Sequence, residues 1–151
     1  METQSKILSS ENVPAIVTIA TQSFPKVWSP EDFHQFLAHS AGYAVGRFTL
    51  DAPPRLVAYL IGLLVQEELD IISIATDPQH RRHGSGLKLL EGAQADPRVR
   101  KITLEVDVEN IPAIALYRRS GFEVASVRKK YYEQTRDAYL MVWTHSCQRL
   151  S

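Results

Sequence analysis

Two hydrophobic periods alternate along the chain, and their order predicts the order of elements. Ile16, Ile19 and Ala20 recur at helical spacing, and Pro14 stands near the start of the run, so Val13 to Gln22 reads as a helix. A loop from Ser23 to Trp28 follows. Ser29 as N-cap, Pro30 at the first helical position and Asp32 in the first turn open a second helix. Trp28 and Phe33 have the spacing of a hydrophobic staple across its start. The period then shortens. Tyr43 to Leu50, Arg55 to Val65 and Leu69 to Thr76 read as strands of an antiparallel meander. They are separated by the turns Asp51-Ala52-Pro53-Pro54 and Gln66-Glu67-Glu68. The long apolar run ending at Val65 suits a strand covered on both faces.

Helical spacing returns from Gly84 to Ala95, where Leu87, Leu90 and Ala93 share a face with Leu89 beside them, and Asp96-Pro97 ends it. Ile102, Leu104, Val106 and Val108 then alternate with Thr103, Glu105, Asp107 and Glu109, a half-buried strand. Strand, glycine turn, helix and strand make a crossover, which gives parallel strands. Asn110 caps a further helix running to about Ser120, with Pro112 in its first turn and Gly121 after its end. Phe122 to Lys130 and Asp137 to Trp143 form a closing hairpin around Glu133-Gln134-Thr135-Arg136, and a frayed tail follows from Thr144. The predicted sheet is mixed, antiparallel at both ends and parallel in the middle.

Composition narrows the class without naming a chemistry. The 151 residues fit one domain spanning 1–151. Hydrophobic residues make up 44% and charged residues 23%, and 17 basic side chains balance 17 acidic ones. That balance argues against a nucleic-acid partner, which selects a basic excess. The Leu56–Val65 run is too short to span a bilayer, which takes ~20 residues, so no membrane partner is expected. The start, Met1-Glu2-Thr3-Gln4-Ser5-Lys6, lacks the order of a secretion signal. Cys147 is the single cysteine, and His34, His39, His80, His83 and His145 have no metal spacing, so no metal is expected. The expectation is a cytoplasmic protein, a monomer or weak dimer.

The candidate chemistry lies where the meander hands over to the crossover helix. In Arg81-Arg82-His83-Gly84-Ser85-Gly86 the glycines let a ligand approach the backbone. The free N–H groups of the new helix attract an anion, and the arginines add positive charge. These residues alone fit a tight turn as well as a phosphate site. A P-loop is a poorer reading, since no Gly-Lys-Ser/Thr follows, and a dinucleotide fingerprint lacks its third glycine.

The stretch Asp77-Pro78-Gln79-His80-Arg81-Arg82-His83-Gly84-Ser85-Gly86 resembles the acetyl-CoA motif Q/R-x-x-G-x-G/A of the GNAT N-acetyltransferase superfamily. The resemblance continues through Leu104-Glu105-Val106, Asn110, Ala113-Ile114-Ala115-Leu116-Tyr117, Ser120-Gly121-Phe122-Glu123 and Tyr131-Tyr132. These blocks are similar to the ribosomal-protein-alanine N-acetyltransferases, the RimI type. It covers about Ile7 to Trp143. It implies an α/β GNAT fold of six to seven strands and about four helices, with a central parallel pair splayed around acetyl-CoA. It implies cofactor contacts from Ile74, Ala75, Thr76, Arg81, Arg82, His83, Gly84, Ser85, Gly86, Leu87 and Asn110. It further implies Glu105 as general base and Tyr117 as general acid, with Trp28, Asp107, Tyr131 and Tyr132 toward the substrate. The carbonyl polariser would be a backbone N–H beside Ala75 or Thr76, where the strands splay.

Acetyl transfer to an amine fits these residue types. The amine must lose a proton, and a carboxylate takes one directly or through water; the leaving thiolate gains from a phenolic proton. On spacing alone Glu105 reads first as one of a solvated row with Thr103, Asp107 and Glu109, and Tyr117 fits a core tyrosine. The implied acceptor is a protein N-terminal α-amine, as in the alanine of small-subunit ribosomal protein S-eighteen. An α-amine, at pKa ~7.7–8.0, is easier to deprotonate than lysine at ~10.4. The acidic row would suit a cationic N-terminus. Lys26-Val27 in the first loop and the acidic Asp107-Val108-Glu109 depart from the usual pattern on the substrate side. A small-molecule amine, a lysine side chain, or a CoA-binding module without catalysis are the alternatives.

Overall fold

The computed structural model describes residues 2–132 and 136–146, the side chains of 130–132 excepted. One seven-stranded sheet carries the molecule, in the order β1-β2-β3-β4-β5-β7-β6. Its strands are β1 (Thr3–Ile7), β2 (Gly42–Thr49), β3 (Leu56–Val65), β4 (Glu68–Thr76), β5 (Lys101–Asp107), β6 (Glu123–Tyr132) and β7 (Arg136–Thr144). The helices are α1 (Val13–Ser23), α2 (Pro30–Ala38), α3 (Ser85–Ala95) and α4 (Ile111–Arg119). Every neighbouring pair is antiparallel except β4 and β5, which run parallel as the crossover requires.

The sheet separates two apolar clusters. One holds Leu60, Leu69, Ile71, Ile102, Leu104 and Val106 against Leu89, Leu90 and Ala93 of α3 and Tyr117 of α4. The other holds Tyr59, Ile61 and Ala75 against Ile16, Ile19 and Ala20 of α1 and Phe33 of α2. β3 feeds both, which is why its run is apolar on both faces. In α3 the buried apolar positions are Leu89, Leu90 and Ala93, Ser85 is buried at its start, and Leu87 is only half-buried.

The start signals of α2 act as read. Ser29 Oγ accepts the Asp32 N–H at 3.2 Å, the Asp32 carboxylate accepts the Ser29 N–H at 3.0 Å, and the Trp28 ring lies 5.3 Å from Phe33. Asn110 Oδ1 accepts the Ala113 N–H at 3.3 Å, and Gly121 takes φ 93° after α4.

Two features of the sheet carry no hydrophobic signal. β1 is an edge strand whose residues are mostly exposed, so no apolar alternation marks it. Arg47 of β2 holds it instead. Arg47 is 8% exposed, and its guanidinium donates to Thr3 Oγ1 at 2.6 and 3.1 Å, to the Thr3 carbonyl at 2.9 Å and to Ser5 Oγ at 2.8 Å. The hairpin of β6 and β7 folds back so that β7, the later strand, lies beside β5. β7 pairs as far as Thr144, opposite Lys101, and the His145 N–H donates to the Arg100 carbonyl at 2.8 Å. Regular pairing therefore includes Thr144, where the tail was expected to begin; Cys147 lies outside the described residues.

Candidate functional site

β4 and β5 begin as partners and then separate. Their register runs Glu68↔Lys101, Leu69↔Ile102 and Asp70↔Thr103, and stops there, although both strands continue. The Thr103 hydroxyl donates to Asp70 Oδ1 at 3.0 Å at the last paired row. A β-bulge coincides with the parting. Ile61 pairs with Ser73 and Gly62 with Ile71, so Ile72 is the extra residue. The split thus opens at Asp70, earlier than the Ala75–Thr76 point expected from the sequence. From there to Thr76, β4 is bonded to β3 on one side and has no β5 neighbour on the other.

At the far end of β4 the chain turns into α3 through the glycine turn. Asp77 Oδ1 accepts the Gln79 N–H at 2.9 Å and stiffens its entry. Arg82 takes φ 71° and Gly84 φ 77°, both left-handed. For arginine that conformation costs roughly 1–2 kcal/mol, and such outliers concentrate at functional turns. Ser29 and Asn110 cap α2 and α4 with side-chain oxygens, but α3 has Gly84 at its N-cap and no side-chain cap bond. The N–H groups of its first turn, Ser85 to Leu87, lack the side-chain cap that α2 and α4 possess, as do those of α1. A Cβ on Gly84 would meet nothing within 4 Å, so the turn is open to solvent. A Cβ on Gly86 would lie 3.2 Å from Leu116 Cδ2 and 3.9 Å from Thr76 Oγ1, so α3, α4 and the end of β4 converge there. Arg82 and His83 are exposed at the turn. Arg81 turns its side chain away, donating to the Thr76 carbonyl at 3.3 Å and to Ser23 Oγ at 3.4 Å, so its place in the turn is a backbone one.

This geometry fits a phosphate-bearing cosubstrate. Uncapped N–H groups, a positive helix end, left-handed backbone and open space meet on one side of the turn. A strand edge able to hydrogen-bond an extended arm leads from there into the split. Ile74, Ala75 and Thr76 form that edge, and Asn110 lies across it in the wall of the cleft.

A cleft of about 640 Å³ adjoins the split, bounded by Phe24 to Trp28 of the α1–α2 loop. It is continuous with a cleft of about 400 Å³ that runs between β4 and β5 to Asn110 and Tyr117. Both include Phe24, Ile72, Ser73, Glu105 and Arg136 in their walls. Trp28 is half-buried, stacked on Phe36 with ring centroids 4.8 Å apart and planes 7° from parallel. Tyr117 is 7% exposed and packs against Phe122 at 5.9 Å, while its other side faces the split. It is a core tyrosine and a cleft residue together. Tyr131 and Tyr132 lie in β6, and their side chains are outside the described ones.

The acidic row is where the structure departs most from expectation. Glu105, Asp107 and Glu109 do not form a free anionic face. Arg128 Nη1 donates to both oxygens of Glu105, at 2.9 and 3.1 Å. Arg136 Nε lies 2.7 Å from Asp107 Oδ2 and 3.5 Å from Glu109 Oε2. Two arginines from the closing hairpin therefore offset three carboxylates. Sequence distance hid this. Arg128 sits 23 residues beyond Glu105 and reaches it only because β7 lies between β5 and β6, with Ala138 in the row that pairs Asp107 with Arg128. The bulge at Ile72 was missed too. Its signal is Gly62, an isolated glycine inside an apolar strand run, which marks a bulge or a close backbone approach. Among the described residues no group of three or more His, Cys, Asp or Glu is placed to hold a metal ion. None of their helices is long and apolar enough to cross a membrane.

Comparison with known proteins agrees with this fold. The acetyltransferase (GNAT) family model matches residues 13–122. The ribosomal protein bS18-alanine N-acetyltransferase of Escherichia coli K12 is 32% identical over 140 residues, covering 89% of this chain and 92% of that protein. The crystal structure of the Escherichia coli ribosomal-protein-S18-alanine N-acetyltransferase superposes with a TM-score of 0.86 at 28% identity, over 96% of this chain and 95% of that one. Arabidopsis thaliana NAA60, solved in complex with acetyl-CoA, shares the fold at a TM-score of 0.80 and 16% identity, over 95% of this chain and 98% of that one. Sequence and fold agree over nearly the whole chain, and the chain belongs to the GNAT acetyltransferase family.

Proposed function

We propose that this acetyltransferase acts on the α-amine of a protein N-terminus, with the N-terminal alanine of the small-subunit ribosomal protein bS18 as its acceptor. The observation that carries the reading is the split between β4 and β5, which leads from the uncapped start of α3 to Glu105. The relative at 32% identity, named for bS18 alanine, supports the choice of acceptor. A ribosomal acceptor places the reaction in the cytoplasm.

Bound acetyl-CoA supplies an activated acetyl thioester. The backbone from Arg81 to Leu87 holds the pyrophosphate, with Arg82 and His83 beside it. Ile74, Ala75 and Thr76 hold the pantetheine arm through their free strand edge, and Asn110 adds a contact while capping α4. Glu105 receives the proton of the acceptor amine. Tyr117 keeps a proton at its phenolic oxygen for the departing sulfur. A backbone N–H on the unpaired edge of β4 polarises the carbonyl. Trp28, Asp107, Tyr131 and Tyr132 border the acceptor. With Asp107 and Glu109 paired to Arg136, the acceptor is recognised by the shape of the cleft around Trp28 more than by bulk negative charge.

The test is thiol release from acetyl-CoA with a panel of amines: peptides beginning Ala-Arg, lysine peptides with blocked N-termini, polyamines and aminoglycosides. Highest kcat/KM for the Ala-Arg peptides supports the reading. Preference for lysine or polyamines assigns the other acceptor class. Rates at background for all amines, equal to those of Glu105→Gln and Tyr117→Phe, leave a CoA-binding module without catalysis.

A further inference from the structure

Tyr59 is fully buried in β3, and its hydroxyl lies 2.8 Å from Ser73 Oγ. Among the described residues Ser73 is the one hydrogen-bond partner of that phenol. The direction of the bond follows from its surroundings. If Ser73 were the donor, the phenolic proton would be buried without an acceptor, which folded proteins avoid because the desolvation of that donor is left uncompensated. A phenol is also the stronger acid of the two, so Tyr59 donates and Ser73 accepts. Burial pushes the Tyr59 hydroxyl up to about 12, so it stays a donor at any working pH.

Ser73 sits at the parting of the strands. It follows the bulge residue Ile72 and borders both parts of the cleft, as Glu105 does. The two share a face of the sheet. Ser73 pairs with Ile61, which belongs to the α1–α2 side, and the Thr103–Asp70 bond places the Thr103, Glu105, Asp107 row on that same side. Glu105, meanwhile, has both oxygens held by Arg128, toward β6 and away from β4. The acceptor amine must enter at the split, and with Tyr59 donating to it, the Ser73 hydroxyl has its own proton to offer in the cleft walls that it shares with Glu105.

We propose that Ser73 relays the acceptor's proton to Glu105 and that Tyr59 is the positioning residue that orients it, an inference that rests on Glu105 being the base. Ser73 Oγ accepts an N–H of the amine with its second lone pair while its O–H points to the Glu105 carboxylate, directly or through one water. As the amine attacks the carbonyl, its proton passes to Ser73 Oγ and the Ser73 proton passes to Glu105. Ser73 gains one proton and loses one, and Glu105 ends protonated. Tyr59 keeps its proton throughout.

The experiment compares Ser73→Ala, Ser73→Thr, Tyr59→Phe and the Ser73→Ala/Tyr59→Phe double variant with the acceptor that the wild type turns over fastest. Ser73→Ala is expected to lower kcat at least tenfold with KM for acetyl-CoA within about twofold, since acid–base contributions run to ~10²–10⁴. Ser73→Thr keeps the hydroxyl and most of the rate. Tyr59→Phe lowers kcat severalfold in the wild-type background and has no further effect in Ser73→Ala, because Tyr59 acts only through Ser73. Wild-type kcat in Ser73→Ala overturns the relay, and so does an equal loss from Tyr59→Phe in both backgrounds, the mark of a packing effect. Glu105→Gln run in parallel separates the two readings. If it is inactive while Ser73→Ala is not, the relay alone falls; if Glu105→Gln keeps the wild-type rate, the base assignment falls and the relay with it.

Discussion

The carbonyl oxygen of Asp70 occupies the space that a side chain on Gly62 would need. Gly62 is the β3 residue at the register shift, and Asp70 is the last β4 residue paired with β5. The bulge at Ile72 and the parting of the parallel strands thus depend on a backbone contact that only glycine permits. Gly62→Ala is expected to cost about 1–3 kcal/mol, as overpacking does. It also displaces the walls of the cleft, so kcat should fall more than the population of folded protein. Denaturant unfolding and kcat on the same preparation check this; a stability loss with unchanged kcat would detach the bulge from catalysis.

Arg128 offers a separation of stability from rate. Its bond to Glu105 is more than half exposed on the arginine side, and exposed pairs contribute only ~0–1 kcal/mol. Arg128→Gln should therefore leave the melting temperature within a few degrees. The same change releases both oxygens of Glu105 from their hold. kcat is expected to fall severalfold, with Arg128→Lys intermediate because one ammonium restores charge without the planar fork. Unaltered kcat in Arg128→Gln would reduce the pair to a surface contact.

The glycine turn makes opposite demands at its two glycines. Gly84 has open space but φ 77°, so Gly84→Ala is opposed by conformation and is expected to cost about 1–2 kcal/mol and weaken CoA binding. At Gly86 a Cβ would press on Leu116 Cδ2, the far end of a movable side chain, so Gly86→Ala should be mild. The shift in melting temperature on adding CoA, read for each variant, checks the order.

Much of this fold is legible in the chain because its elements are local. The capped starts of α2 and α4, the crossover through Gly84 and the alternation of β5 depend on residues a few positions apart. The parts that escaped depend on the sheet order. β1 has no apolar face to announce it, and Arg47 finds Thr3 only when β1 pairs with β2. Glu105 and Tyr117 stand out as chemistry-bearing residue types. Their surroundings, the Arg128 hold and the Ile72 bulge, require knowing that β7 inserts between β5 and β6 and that Asp70 crosses over Gly62. The row Thr103–Glu109 reads as acidic in one dimension and is charge-paired in three.

Arg47 gives a prediction for stability alone. Its hydrogen bonds tie β1 to β2, and burial lowers its pKa. Arg47→Met keeps the aliphatic reach and removes the donors, leaving Thr3 and Ser5 without their partner. The expected cost is about 1–3 kcal/mol. Amide exchange should accelerate in Thr3–Ile7 first, since that strand has no second neighbour. Equal acceleration across all strands would mean that β1 unfolds only with the whole sheet.

Alkaline pH tests Tyr59 independently of turnover. Its hydroxyl is pushed from 10.0 up to about 12 by burial. The folded form thus holds its proton where the unfolded chain has lost it. Below pH ~10 both forms are protonated and the group contributes its full share to stability. Between about 10 and 12 the unfolded chain ionises and the folded one does not, so stability falls as pH rises. The span of about two units limits the loss to ~3 kcal/mol. Tyr59→Phe has no such proton. Its stability curve should be flatter than that of the wild type over this window by that amount or less, while the two run parallel below pH 9. Equal slopes in wild type and variant between pH 10 and 12 would mean that the phenol ionises in the folded state, and a phenolate cannot donate to Ser73.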